Sequence, residues 1–219
     1  MSLSPSAVAV SSLVGRDTIA ADLGNYYTAS TVPGVSALTH AVNTTFVETK
    51  AIFHLYNGGA LTIYPTFLRL TSAIVSIGNT QVQFATTLDQ GNRFSSYASG
   101  GAALTVVNQN MASQNLSGAQ VSGGAVVLTA ATANRRLLGN RAFRPSVIGV
   151  LRDVYQFSYG SGELVDPSAL PVDGTGIANV MYVMPPVVVP PGQSFDVIAW
   201  GATFSQGVSY EYEFGFVEK

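Results

Sequence analysis

The stretch Ser209-Tyr-Glu-Tyr-Glu-Phe-Gly-Phe-Val217 decides the fold class. Tyr210, Tyr212, Phe214 and Phe216 fall on every second position, with Glu211 and Glu213 between them. Successive side chains of a strand point to opposite faces, so this pattern predicts a strand with one aromatic face and one solvated face. Just upstream, Phe195 to Trp200 sets Phe195, Val197 and Ala199 against Asp196, Ile198 and Trp200. Pro190-Pro191-Gly192-Gln193, a turn by composition, introduces that second strand.

Working back towards the N-terminus, the same period recurs between breakers. Val180 to Val189 is a β-rich run, and in Ser146 to Tyr159 the residues Leu151, Tyr155, Phe157 and Tyr159 share a face before Gly160-Ser161-Gly162 turns the chain. Shorter strands are expected at Ala125 to Thr129 and Ala103 to Val107. Val82, Phe84, Thr86 and Leu88 alternate with Gln81, Gln83, Ala85 and Thr87, and Asp89-Gln90-Gly91-Asn92 ends that strand. Leu61 to Ile77 carries Pro65, which marks a bend, a bulge or an edge. Ala51 to Tyr56 is closed by Asn57-Gly58-Gly59, a strong turn signal.

Eight or nine short strands with almost no helix predict an all-β protein, an antiparallel β-sandwich of the jelly-roll type spanning residues 45–219. Residues 1–44 read differently. They are rich in small residues, Pro5, Pro33 and Gly34 break them, and Val8, Val10, Leu13, Val14, Ile19 and Leu23 fit no single period. An extended N-terminal arm that anchors the protein or packs on a neighbouring subunit is expected there, with a short helix capped at Ser4-Pro5 through Leu13 as a local element. Deleting the first thirty residues should then leave a folded body.

Composition narrows the function. The chain has 219 residues, 47% of them apolar, which is enough for a sizeable core. Only 10% are charged, against about 25% in ordinary domains, so the surface is built largely from Ser, Thr, Asn, Gln and backbone. A net charge of -2 argues against a general nucleic-acid binder. The absence of cysteine excludes disulfides, thiolate catalysis and iron–sulfur clusters. Mean hydropathy is +0.30, yet no run reaches the roughly 20 apolar residues a membrane span needs. The N-terminus lacks the basic and apolar regions of a secretory signal, so a soluble, unprocessed chain without membrane contact is expected.

Catalytic signatures are missing: there is no GxSxG elbow, no phosphate-binding GxxxxGK[ST], no GxGxxG and no HExxH. No enzyme activity, cofactor or metal is expected. His40 and His54 stand apart from any carboxylate at ligand spacing, and His54, inside an apolar strand, reads as a structural imidazole. Glu211 and Glu213, about 7 Å apart on one strand face, are spaced like a glycosidase pair but read first as the solvated face of an amphipathic strand.

Two sets of residues stand out as binding candidates. Arg135, Arg136, Arg141 and Arg144 place half of the eight arginines within ten residues. They could dock on an acidic partner or contact phosphate, since arginine makes forked bonds to both, or form a solvated turn. Trp200, Tyr210 and Tyr212, with Tyr155 and Tyr159, could form an aromatic platform for a glycan, or core and subunit-interface packing. The sequons at Asn43-Thr44-Thr45 and Asn115-Leu116-Ser117 read as chance matches without a secretory signal.

Two stretches carry a resemblance. The first is FATTLDQGNRFSSYASGGAALTVVNQNM, Phe84 to Met111, with its Leu88-Asp89 pair, Arg93-Phe94-Ser95, Ser99-Gly100-Gly101, Leu104-Thr105 and Asn108-Gln109-Asn110-Met111. The second is RRLLGNRAFRPSVIGVLRDVYQFSYGSGE followed by PPVVVPPGQSFDVIAWG and the aromatic C-terminal strand ending in Phe216-Val217-Glu218. Together they resemble the jelly-roll decoration, head-fibre or appendage subunits of tailed-bacteriophage virions. The resemblance implies a non-enzymatic structural protein at the phage particle surface, made in the bacterial host cytoplasm, a homo-oligomer and by preference a trimer. Its implied partners are the major capsid protein or another virion protein. The alternative is a glycan-binding adhesin or receptor-binding module of a phage tail or appendage that meets a host surface glycan.

Overall fold

The computed structural model describes residues 16–31, 37–40, 43–74, 82–143, 153–160, 179–201 and 208–219. Among the described residues a short helix, α1 (Arg16–Asp22), is followed by thirteen strands: β1 (Tyr26–Ser30), β2 (Leu38–Thr39), β3 (Lys50–Asn57), β4 (Ile63–Ile74), β5 (Val82–Gln90), β6 (Phe94–Tyr97), β7 (Ala102–Asn108), β8 (Ala119–Leu128), β9 (Arg136–Phe143), β10 (Val154–Tyr159), β11 (Asn179–Met184), β12 (Gln193–Trp200) and β13 (Ser209–Glu218). The protein is all-β, as the period-two pattern requires.

All thirteen strands belong to one sheet of order β11-β10-β4-β13-β1-β7-β8-β3-β12-β5-β9, with β2 added on β13 and β6 on β8. β7 is the fold line. Its residues Thr105 to Asn108 pair with β1, while Ala102 to Leu104 pair with β8. The two halves close on each other through aromatic rings: Phe53 meets Phe214 at 4.9 Å, Phe84 meets Phe157 at 5.4 Å and Tyr159 meets Phe195 at 5.5 Å between centroids. The result is a sandwich around one aromatic core, in which each fully buried large side chain contributes about 1.5–3 kcal/mol.

β13 sits inside its half, between β4 and β1, and its pattern is the one read from sequence. Tyr210, Tyr212, Phe214 and Phe216 are buried in the core, while Glu211 is half-buried and Glu213 exposed. Glu213 stands opposite Arg69 on β4 and accepts a 2.8 Å bond from it. In β12, Phe195, Val197 and Ala199 enter the main core, and Ile198 and Trp200 join a second apolar cluster with Ala51, Ala85, Val126 and Leu128 on the opposite face. Pro65 pairs with Phe216 where the β4–β13 register shifts after Gly215, so the proline marks a bulge.

Two expectations are corrected. The sheet is mixed rather than wholly antiparallel, because β10 and β11 run parallel from Val154 beside Asn179 to Tyr159 beside Met184. A parallel pair needs a crossover of a dozen or more residues, and the connection between Tyr159 and Asn179 is long enough to supply one. The boundary at residue 44 also fails. β1 lies within the sheet, with Tyr27 opposite Phe216 on one side and Asn108 on the other, and Tyr27 and Ala29 are buried. Pairing on both edges satisfies its backbone and overrides the weak local pattern of this small-residue segment. The first fifteen residues of the arm expected over residues 1–44, with the helix expected from Ser4-Pro5 through Leu13, and residues 146–152 of the strand expected from Ser146 to Tyr159, fall outside the described residues.

Candidate interaction site

The outer face of the β12 half carries a buried charged cluster. β3 and β12 pair so that His54 stands opposite Asp196. His54 Nδ1 lies 2.6 Å from Asp196 Oδ1, and its Nε2 lies 3.3 Å from Asn92 Oδ1, which also accepts the Phe94 N–H at 2.9 Å. Arg93 donates to Asp196 Oδ2 at 3.3 Å, lies 3.5 Å from Asp89, and donates to the backbone carbonyls of Glu48 and Thr129. All four ionisable side chains are buried. Burial alone would raise the Asp89 carboxyl, but the Thr132 hydroxyl and N–H, the Gln90 N–H and Arg93 together hold it below its ordinary range.

Ser122 on β8 is also opposite His54, which completes a Ser–His–Asp row across three neighbouring strands. The row is not wired as a nucleophile relay. The Ser122 hydroxyl is bonded to the Tyr97 hydroxyl at 3.1 Å, and Asn92 takes the ring nitrogen that would activate it. With every partner committed, the cluster ties the connections around Glu48, Asn92 and Thr129 to the sheet. Sequence reasoning recognised His54 as structural but missed Asp196 and Arg93. The available signal was a carboxylate and an imidazole inside two otherwise apolar strands.

The aromatic platform is corrected. Tyr155, Tyr159, Tyr210 and Tyr212 are core residues, and burial pushes all four phenols above their ordinary range. Tyr212 points inward, where its hydroxyl accepts the Gly124 N–H at 3.1 Å. Gly124 holds φ at +85°, and a Cβ there would press on the Gly100 carbonyl. Trp200 is buried against Phe46, edge to face at 5.2 Å. None of the three residues named for a platform offers a face to a sugar.

The arginine set divides. Arg135 is paired with Glu48, both about a third exposed, whereas Arg136 is exposed at the start of β9. Both line a groove of about 560 Å³ with Leu88, Gln90, Asn134, Val188 and Pro190. Arg141 lies further along β9, and Arg144 falls outside the described residues.

The Asn108-Gln109-Asn110-Met111 motif builds a different surface. Asn108 and Asn115 both donate from Nδ2 to the Gly24 carbonyl, at 2.9 and 3.2 Å, and Asn110 donates to the Asp22 carbonyl at 2.9 Å. Gly24 has φ of +70°, and a Cβ there would lie 2.3 Å from Ser113 Oγ, so glycine is what permits the contact. On the other side, Ser117 donates to Glu218 Oε1 at 2.5 Å; burial raises that carboxyl, and the Ser117 bond opposes it. The connection between β7 and β8 is therefore clamped to α1 and β13. It nonetheless presents Met111 at 102% and Leu116 at 91% exposure, beside Leu23 at 64%. Sequence reasoning quoted the motif but did not foresee this role.

No protein-family model, no curated protein and no solved structure matches the chain.

Proposed function

We propose that the protein is a non-enzymatic structural subunit of a bacteriophage virion, a capsid decoration or head-fibre-type protein that self-associates and binds the shell. The observation that carries this reading is a hydrogen-bonded loop that holds Met111 and Leu116 out from the body. Large apolar side chains fixed at full exposure suit a subunit normally covered by a partner. The low charge content of the chain and its β-sandwich body support the same reading, and the two stretches that resemble jelly-roll virion proteins supply the phage assignment. On this reading the protein is made in the bacterial cytoplasm, assembles as a homotrimer and sits at the particle surface against the major capsid protein. Arg136 offers a further contact to a carboxylate of that partner. The adhesin alternative would need a sugar site other than Trp200, Tyr210 and Tyr212.

The test is antibody labelling of virus particles from the culture that carries the gene, read by electron microscopy with mass spectrometry of the purified particles. Regular labelling of heads supports the proposal. Labelling confined to tails moves the subunit to an appendage, and particles free of the protein overturn the virion reading.

A further inference from the structure

We infer that a cleft on the outer face of the β4 half, where α1 meets β4 and β10, is a binding site for an uncharged glycan. The inference goes beyond the virion reading and does not depend on it. The cleft holds about 420 Å³, a small-ligand size, and Asp17, Tyr64, Phe67, Gln156 and Ser158 line it. The bulge at Pro65 makes it. The pairing passes from Pro65 opposite Phe216 to Phe67 opposite Gly215, so Thr66 is one residue more than the ladder needs. Residues three apart on a regular strand point to opposite faces. The extra residue turns Tyr64 and Phe67 to the same outer face, while Ile63 and Leu68 stay in the core.

The walls of the cleft are fixed before anything binds. Gly215 leaves room for them, since a Cβ there would lie 2.5 Å from Phe67 Cε1 and 2.6 Å from the Tyr26 hydroxyl oxygen. The Tyr26 and Thr66 hydroxyls are bonded at 3.0 Å. The Arg69 guanidinium stands 6.0 Å from the centre of the Phe67 ring, and its Nε donates to Gln156 Oε1 at 3.2 Å. Gln156 Nε2 in turn donates to Ser158 Oγ at 3.4 Å. A cleft held in this way loses little ordering entropy on binding.

The ligand class follows from what the cleft offers. Tyr64 and Phe67 give ring surface, which takes the C–H face of a sugar. Asp17 is exposed, and among the described residues no cation pairs with it, so its carboxylate is an acceptor for two hydroxyls at once. The Ser158 hydroxyl accepts from Gln156 and keeps its own proton to donate. Acceptors and a donor set around aromatic rings match a ligand whose hydroxyls do both. Charge argues against the alternatives: an anion would face Asp17, and a cation would meet Arg69, which already stands over Phe67. β4 is paired on both sides, with β10 and β13, so it has no open edge to receive an extended peptide.

The test is a glycan array probed with the labelled full-length chain and printed with neutral hexose and N-acetylhexosamine oligosaccharides beside sialylated and uronic-acid ones. Binding confined to neutral glycans is expected. Asp17→Asn should weaken binding of the best neutral oligosaccharide by about tenfold or more in titration calorimetry, as loss of a charge-assisted hydrogen bond does. Tyr64→Ala should weaken it similarly, with circular dichroism to check the fold. Asp17→Asn keeps the shape of an exposed side chain, so its result stands even where Tyr64→Ala fails to fold. An array on which no neutral glycan binds, binding restricted to acidic glycans, or unchanged affinity in Asp17→Asn overturns the inference. Particle labelling is an independent readout, so the virion reading survives each of those results, and unlabelled particles together with neutral-glycan binding through Asp17 would overturn that reading alone.

Discussion

Asp196 stands directly opposite His54 across β12 and β3, with Oδ1 2.6 Å from Nδ1, while its second oxygen faces Arg93 at 3.3 Å. One fully buried carboxylate thus answers two buried nitrogenous side chains from different parts of the chain. Asp196→Ala should cost about 3–5 kcal/mol, because removing one member of a buried ionic set strands the others without compensation. Urea denaturation measures it. A loss under about 1 kcal/mol would show that Arg93 and His54 find other partners, and the cluster would not be the tie described above.

Asp89 gives the fold a defined acid limb. Its carboxyl is held below the ordinary value near 3.8 in the folded protein, burial being outweighed by Thr132, Gln90 and Arg93. The folded state therefore binds that proton less readily than the unfolded chain. Its stabilising contribution is complete above the unfolded value and is lost as the pH falls through the lower folded value. Asp89→Asn should flatten stability against pH in this acid range and leave its slope near neutrality unchanged. Equal acid limbs in the two proteins would remove Asp89 from the account.

Phe214 and its neighbour Glu213 should separate cleanly in a mutational comparison. Phe214 is fully buried and packs on Phe53 at 4.9 Å and Phe216 at 5.3 Å, so Phe214→Ala should cost about 3–5 kcal/mol. Glu213 pairs with Arg69 with both side chains roughly half exposed, so Glu213→Ala should cost less than about 1 kcal/mol. Thermal melts of the two variants decide the matter, and similar shifts would contradict the placement of the two faces of β13.

Truncation offers a test of the corrected domain boundary. Removal of residues 1–30 deletes β1 and leaves β13 and β7 without the strand between them. Cooperative unfolding should be lost, as read by fluorescence or proteolysis. A truncated chain that melts like the full-length protein would restore the arm reading for that whole segment.

The contrast between β13 and β1 shows what the sequence made legible. In β13 four aromatic residues at strict alternation outweigh every local competitor, so strand, face and burial could all be read. β1 is only five residues, Tyr-Tyr-Thr-Ala-Ser, and its existence depends on two neighbours far along the chain. The parallel pairing of β10 with β11 was equally hidden, since alternation carries no information on direction. The charged cluster was half visible. His54 and Asp196 lie 142 positions apart, and Arg93 is a further partner from a turn, so only the folded sheet brings their charges together. The buried rings of Tyr210 and Tyr212 show the converse difficulty, because an aromatic stripe reads the same whether it faces a ligand or a core.

The antiparallel pairing of β1 with β13 has a mechanical consequence. Tyr26, where β1 begins, lies beside Val217, where β13 nears its end. Tension applied between the segment ahead of β1 and the end of β13 would pull across the ladder and peel its bonds one after another, which takes little force. A chain loaded at these two ends would thus open first where Tyr26 meets Val217.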